Sequence, residues 1–78
     1  MNKLKDMTNT HSELTANGTT LSHHNNRAEA RAEIDRLNDV NGTIVLFPPE
    51  QDEDFNDVVT TGGLGNPELV YTIRNTFS

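Results

Sequence analysis

The run Thr43-Ile44-Val45-Leu46-Phe47 constrains the fold more than any other stretch of the chain. It is apolar and β-branched, closed off by Gly42 on one side and Pro48-Pro49 on the other, which is the pattern of a short strand buried on both faces. A strand of that kind must be covered, and 78 residues offer little cover. Folded domains of this size bury only about 60% of the surface of their unfolded chains. One small domain is therefore the limit. Left at a sheet edge, Ile44, Val45, Leu46 and Phe47 invite pairing with a second copy, so these four are the expected self-association residues and a homodimer the expected assembly.

The clearest helix precedes this strand. Asn26 is placed to accept the backbone N–H of Glu29, and Ala28, Ala30, Arg31 and Ala32 favour helix. Ala30, Ile34 and Leu37 give one narrow apolar face, Arg31 with Asp35 and Glu33 with Arg36 are outward pairs, and Asn41-Gly42 ends the helix. Before it, Gly18–Ser22 reads as a weak strand. Residues 1–17 are polar, with Leu4, Met7 and Leu14 too sparse for a stripe, which predicts a flexible arm and leaves 18–78 as the domain. After the apolar run, Phe55, Val58 and Val59 predict a short helix from about Glu53 to Thr60, with Asp52 at its cap and Gly62-Gly63 at its end. In the last segment Leu69, Tyr71 and Ile73 alternate as in a strand, while Leu69, Ile73 and Phe77 sit four apart as in a helix. The start signature Asn66-Pro67-Glu68 favours helix. The resulting order, β-α-β-α-α with two short parallel strands in a right-handed crossover, is an α/β class, half of a Rossmann-like sheet.

Twelve acidic against six basic residues give a net charge of −6 and a pI near 4.7. That balance disfavours direct binding of nucleic acid or anionic membrane and favours a protein partner with a basic surface. There is no cysteine, which excludes disulfides and thiolate metal sites. No apolar run reaches the roughly 18 residues that span a bilayer, and MNKLKDMTNT is not followed by an apolar signal core, so the expected location is the cytoplasm, with no membrane contact.

Glu50, Asp52, Glu53, Asp54 and Asp57 crowd five acids into eight residues. They are the candidate partner-binding set, able to imitate nucleic-acid phosphates toward a basic groove, although a solvated, charged turn is the simpler reading. His11, His23 and His24 bring zinc or nickel to mind. Adjacent histidines point in different directions, however, and no third ligand is fixed, so no metal and no cofactor is expected. Ser22 beside His23 lacks a nucleophile elbow, and Gly62-Gly63-Leu64-Gly65 follows a predicted helix where a phosphate loop would open one. No catalytic residue emerges. Phe47, Phe55, Tyr71 and Phe77 are expected as core or interface anchors.

Two stretches carry a family resemblance. The first is Thr19-Thr20-Leu21-Ser22-His23-His24-Asn25-Asn26-Arg27-Ala28-Glu29-Ala30-Arg31-Ala32, and the second runs from Phe47-Pro48-Pro49 through Asp54-Phe55-Asn56-Asp57 to Val59. Over residues 18–63 this resembles the C-terminal half of the Toprim domain of primases and topoisomerases, where a strand ends in Asp-x-Asp before an alanine-rich helix and primase members carry a D-F-N-D-type motif. At the positions matching the two aspartates stand His24 and Asn26, and Glu29 replaces the family's glycine. Mg²⁺ prefers carboxylate oxygens, so the resemblance implies a site without its metal and without phosphoryl-transfer chemistry. The resulting expectation is a non-enzymatic, acidic, phage- or plasmid-encoded protein that binds and inhibits a host nucleic-acid-processing protein. By analogy it would act as anti-restriction and anti-CRISPR proteins or DNA mimics do. The alternative is an accessory subunit or remnant of a Toprim-type primase.

Overall fold

A computed structural model describes residues 8–63 and 65–78. The elements are β1 (Asn9–Ala16), β2 (Thr19–His24), α1 (Arg27–Asn41), β3 (Ile44–Val45), β4 (Glu50–Gln51), β5 (Asp57–Gly63) and β6 (Asn66–Phe77). The strands form one sheet in the order β2-β1-β6-β5-β3, with β4 also on β5. Every pairing is antiparallel. The expected α/β unit with two parallel strands is therefore wrong. α1 does not cross over between neighbouring strands; it leaves the edge strand β2 and crosses the sheet to reach β3 at the other edge.

Period-two burial builds the sheet. Ser12 and Leu14 on β1, Val59 and Thr61 on β5, and Tyr71 and Ile73 on β6 all turn inward. Ala30 and Ile34 of α1 close over them, and Leu37, Val45 and Leu69 pack at the margin. The helix itself follows the sequence: the Asn26 side chain accepts from Glu29 N–H, and Gly42 ends it at φ 68°, donating to the Asn38 carbonyl. β1 turns into β2 through Asn17 and Gly18, both at positive φ (49° and 87°), the conformation that tight hairpins demand. Leu14 pairs with Ser22 and Thr15 with Thr20, so Leu21 is the extra residue of a bulge.

Three further expectations fail. Residues 9–16, assigned to a flexible arm, form β1 in the interior of the sheet with Leu14 fully buried; positions 1–7 of that arm lie outside the described residues. The helix expected at 53–60 is a loop followed by β5, because Val59 and Thr61 find buried positions on a strand. The helix expected at 66–77 is β6, where the alternation of Leu69, Tyr71 and Ile73 prevails because β1 and β5 bond to it on both sides. Pro67 is tolerated there because it falls where the β5–β6 register slips between the pairs Thr61–Leu69 and Gly63–Asn66.

Candidate binding surfaces on the sheet edge and the open face

The five acids separate in space. Glu50, Asp52, Glu53 and Asp54 are exposed on the hairpin that links β4 to β5. Asp52 shapes its loop: one carboxylate oxygen accepts the N–H groups of Asp54 and Asn56 at 2.9 Å each, and the other accepts the Asn56 amide at 3.1 Å. The backbone N–H of Asn56, with the Asn56 amide and the Asp54 N–H, holds the Asp52 carboxyl below the usual carboxylate range against an opposing desolvation effect. Phe55 takes a positive φ of 63° to close the loop. Asp57 is elsewhere, buried at the start of β5.

Asp57 is the centre of an internal network. Arg27 clasps it with two hydrogen bonds of 2.5 and 2.9 Å, and the Asn75 amide donates to it at 2.8 Å. Ser12 donates to Asn75 at 2.6 Å, and Asn9 accepts the first helical N–H, that of Arg27, at 2.6 Å. β1, β5, β6 and the start of α1 are tied together at this point. Of the other described arginines, Arg36 bonds to Glu33 at 2.7 Å, while Arg31 and Arg74 stand 3.9 Å from Asp35 and Glu13, a distance of charge attraction without a hydrogen bond. Among the described residues, the four acids of the β4–β5 hairpin have no cationic partner.

The four self-association candidates lie along the sheet edge, partly sorted between faces. Val45 packs against the core, while Ile44 and Phe47 are 64% and 59% exposed. Leu46 continues the pairing through its N–H to the Thr60 carbonyl, and a Cβ on Gly62 would come within 3.1 Å of the Leu46 side chain. Pro48-Pro49 then interrupts this edge between β3 and β4, and residues without N–H groups blunt it as a template for another strand. The expected core strand is thus an edge of two residues, because β5 offers it a partner on one side only.

The helix-free face of the sheet carries a polar group that the sequence did not assemble. The His11 Nε2 and His23 Nδ1 atoms are 3.0 Å apart, with ring centroids 5.2 Å apart. Glu13 lies opposite both His23 and Arg74. The Thr20 hydroxyl donates to Glu13 in a short bond and, with a smaller contribution from Arg74, holds its carboxyl below the ordinary range. A hollow of about 300 Å³ beside this group is lined by His11, Glu13, Asp54, Asn56 and Arg74.

His24 points away from His23, as adjacent strand residues must, and meets the Ser22 hydroxyl at 2.8 Å. No carboxylate hydrogen-bonds to His24 among the described residues, so nothing orients it as a base. Asn26 caps α1. His24 and Asn26 therefore have local structural roles. Gly62 and Gly63 end β5 and Gly65 directly precedes β6, so these glycines open no helix. Among the described residues no cluster of three or more His, Asp or Glu side chains has metal-holding geometry, and no helix is long and apolar enough to cross a membrane.

Sequence reasoning missed the Asn17-Gly18 turn, although the dipeptide signals a tight hairpin. The meeting of His11 with His23 had no local signal, because it depends on strand register. No protein-family model, curated protein or solved structure matches this chain.

Proposed function

We propose that this chain is a small, non-catalytic binding protein that docks its acidic hairpin into the basic surface of a protein acting on nucleic acid, and inhibits it by occupying that surface. One observation supports the reading: each of the four described arginines has an acid of its own within 3.9 Å, while Glu50, Asp52, Glu53 and Asp54 project together to solvent with no cation beside them among the described residues. Of the seven described acids outside these ion pairs, four sit together on this hairpin, while Glu29, Asp39 and Glu68 are scattered singly over the surface. Asp52 gives that hairpin a fixed shape through its bonds to Asp54 and Asn56, so less ordering remains to be done on binding. A concentrated negative field speeds encounter with a basic groove and makes the association sensitive to salt. Asp57 takes no part, since Arg27 already neutralises it.

No pair of parallel strands of the Toprim kind underlies this reading. Its test is inhibition. A nucleic-acid-binding protein captured from the native host should lose DNA or RNA binding when the chain is added, and the effect should weaken as salt rises. The triple variant E50Q/E53Q/D54N, which spares the loop-shaping Asp52, should fail to inhibit. Equal inhibition by that variant would refute the proposal.

A further inference from the structure

We propose that His11 and His23 form a two-point chelate for a divalent transition ion, Cu²⁺ before Ni²⁺ or Zn²⁺, on the helix-free face of the sheet. The two histidines stand on neighbouring strands in diagonal register, Glu13 being paired with His23 two positions from His11. Sheet pairing therefore fixes both ring positions before any ion arrives. Their facing nitrogens are 3.0 Å apart. Two imidazole nitrogens bound at about 2.05 Å to one ion lie about 2.9 Å apart when cis in a tetragonal complex and about 3.3 Å apart in a tetrahedral one. The observed separation, held in the ion-free pair by a ring-to-ring hydrogen bond, lies between these two values, so small ring rotations reach either arrangement; Cu²⁺ is placed first because it heads the affinity order for nitrogen ligands.

In the metal-free pair the N–H of one ring donates to the facing nitrogen of the other; an ion bound beside both nitrogens requires that proton to pass, through solvent, to the far nitrogen of its own ring, so that two neutral imidazoles serve as ligands. Water completes the coordination sphere, because the described residues bring two ligands together there. Glu13 remains with Thr20 and faces Arg74, so it contributes negative charge nearby without leaving its partners. Asp54 lines the adjoining hollow, outside ion-pair distance of Arg74. The site is open and exchangeable, distinct from a buried structural metal, and it does not depend on the acidic hairpin's binding a partner.

The test is titration with CuSO₄ in a buffer that does not coordinate metal, read by calorimetry and by electron paramagnetic resonance. The expected result is one ion per chain with hyperfine coupling to two imidazole nitrogens. His11→Ala and His23→Ala should each weaken binding by about tenfold or more, since loss of even an outer-shell partner typically costs that much. His24→Ala, on the other face, should bind as the parent does, and the double variant H11A/H23A should define the background. Melting curves give a second readout: Cu²⁺ should raise the midpoint of the parent and His24→Ala but not of the other variants. Binding no tighter than that of the double variant, equal weakening by His24→Ala, or four imidazole nitrogens per ion would overturn the single-chain chelate.

Discussion

The centre of the sheet and its β3–β4 edge invert what their compositions suggest. β1 reads NTHSELTA, polar at most positions, yet it pairs on both sides and buries Leu14 completely. The stretch 43–47 is the most apolar of the chain, yet it pairs on one side and leaves Ile44 and Phe47 largely exposed. Burial here follows the number of neighbours a strand has, and one well-placed leucine in alternating register outweighs the four consecutive apolar residues 44–47. The exposed acids fall on the edge side of the same division.

Paired substitutions would break or sharpen this contrast. The largest effect is expected from Leu14→Ala, which should cost about 2–5 kcal/mol by urea denaturation, against less than about 1 kcal/mol for Ile44→Ala. Equal costs would dissolve the distinction between centre and edge. Next comes Asp57→Ala, which leaves Arg27 and Asn75 without their acceptor. Because Arg27 is half exposed, a loss of about 1–3 kcal/mol is expected, while Asp54→Ala at the exposed hairpin should be neutral within about 0.5 kcal/mol in the same assay. Asn26→Ala removes the acceptor for Glu29 N–H at the start of α1 and should lower the unfolding free energy by about 1 kcal/mol.

The smallest effect concerns pH at the hairpin. The folded-state pKa of Asp52 is lowered, so its contribution is complete above the unfolded carboxylate value of about 4 and is lost as pH falls from there through the lower folded value. Asp52→Asn should flatten that part of the acid-stability profile, measured by circular dichroism. An unchanged profile would remove the loop-shaping role assigned to this carboxylate.

Local chemistry was legible in the sequence wherever a few neighbouring residues decide the outcome. Asn26 and Gly42 bound the helix as their side-chain and backbone preferences require, and Ala30 and Ile34 face inward. The acids of 50–54 could be named from their order alone, and the structure holds them in one loop. Topology was not legible, because Leu14, Val59 and Ile73 become core residues only through strands distant in sequence. The start signature at Asn66-Pro67-Glu68 was a real local preference that two flanking strands overrode. Asp57 looked like its acidic neighbours until Arg27, 30 positions away, claimed it. His11 and His23 meet for a similar reason, across 12 positions brought together by a hairpin and its bulge.

The pairing of β1 with β6 sets a delay during synthesis. Thr15 bonds to the carbonyl of Thr72, 57 positions later, so the first strand to emerge from a ribosome waits for the last. At ordinary elongation rates that interval is about 3–11 s, during which one side of β1 has no partner. A more apolar strand left open for seconds would seed association between nascent chains. The hydroxyl, amide and charged groups of NTHSELTA, which disguised the strand as an arm, keep it hydrated until β6 arrives.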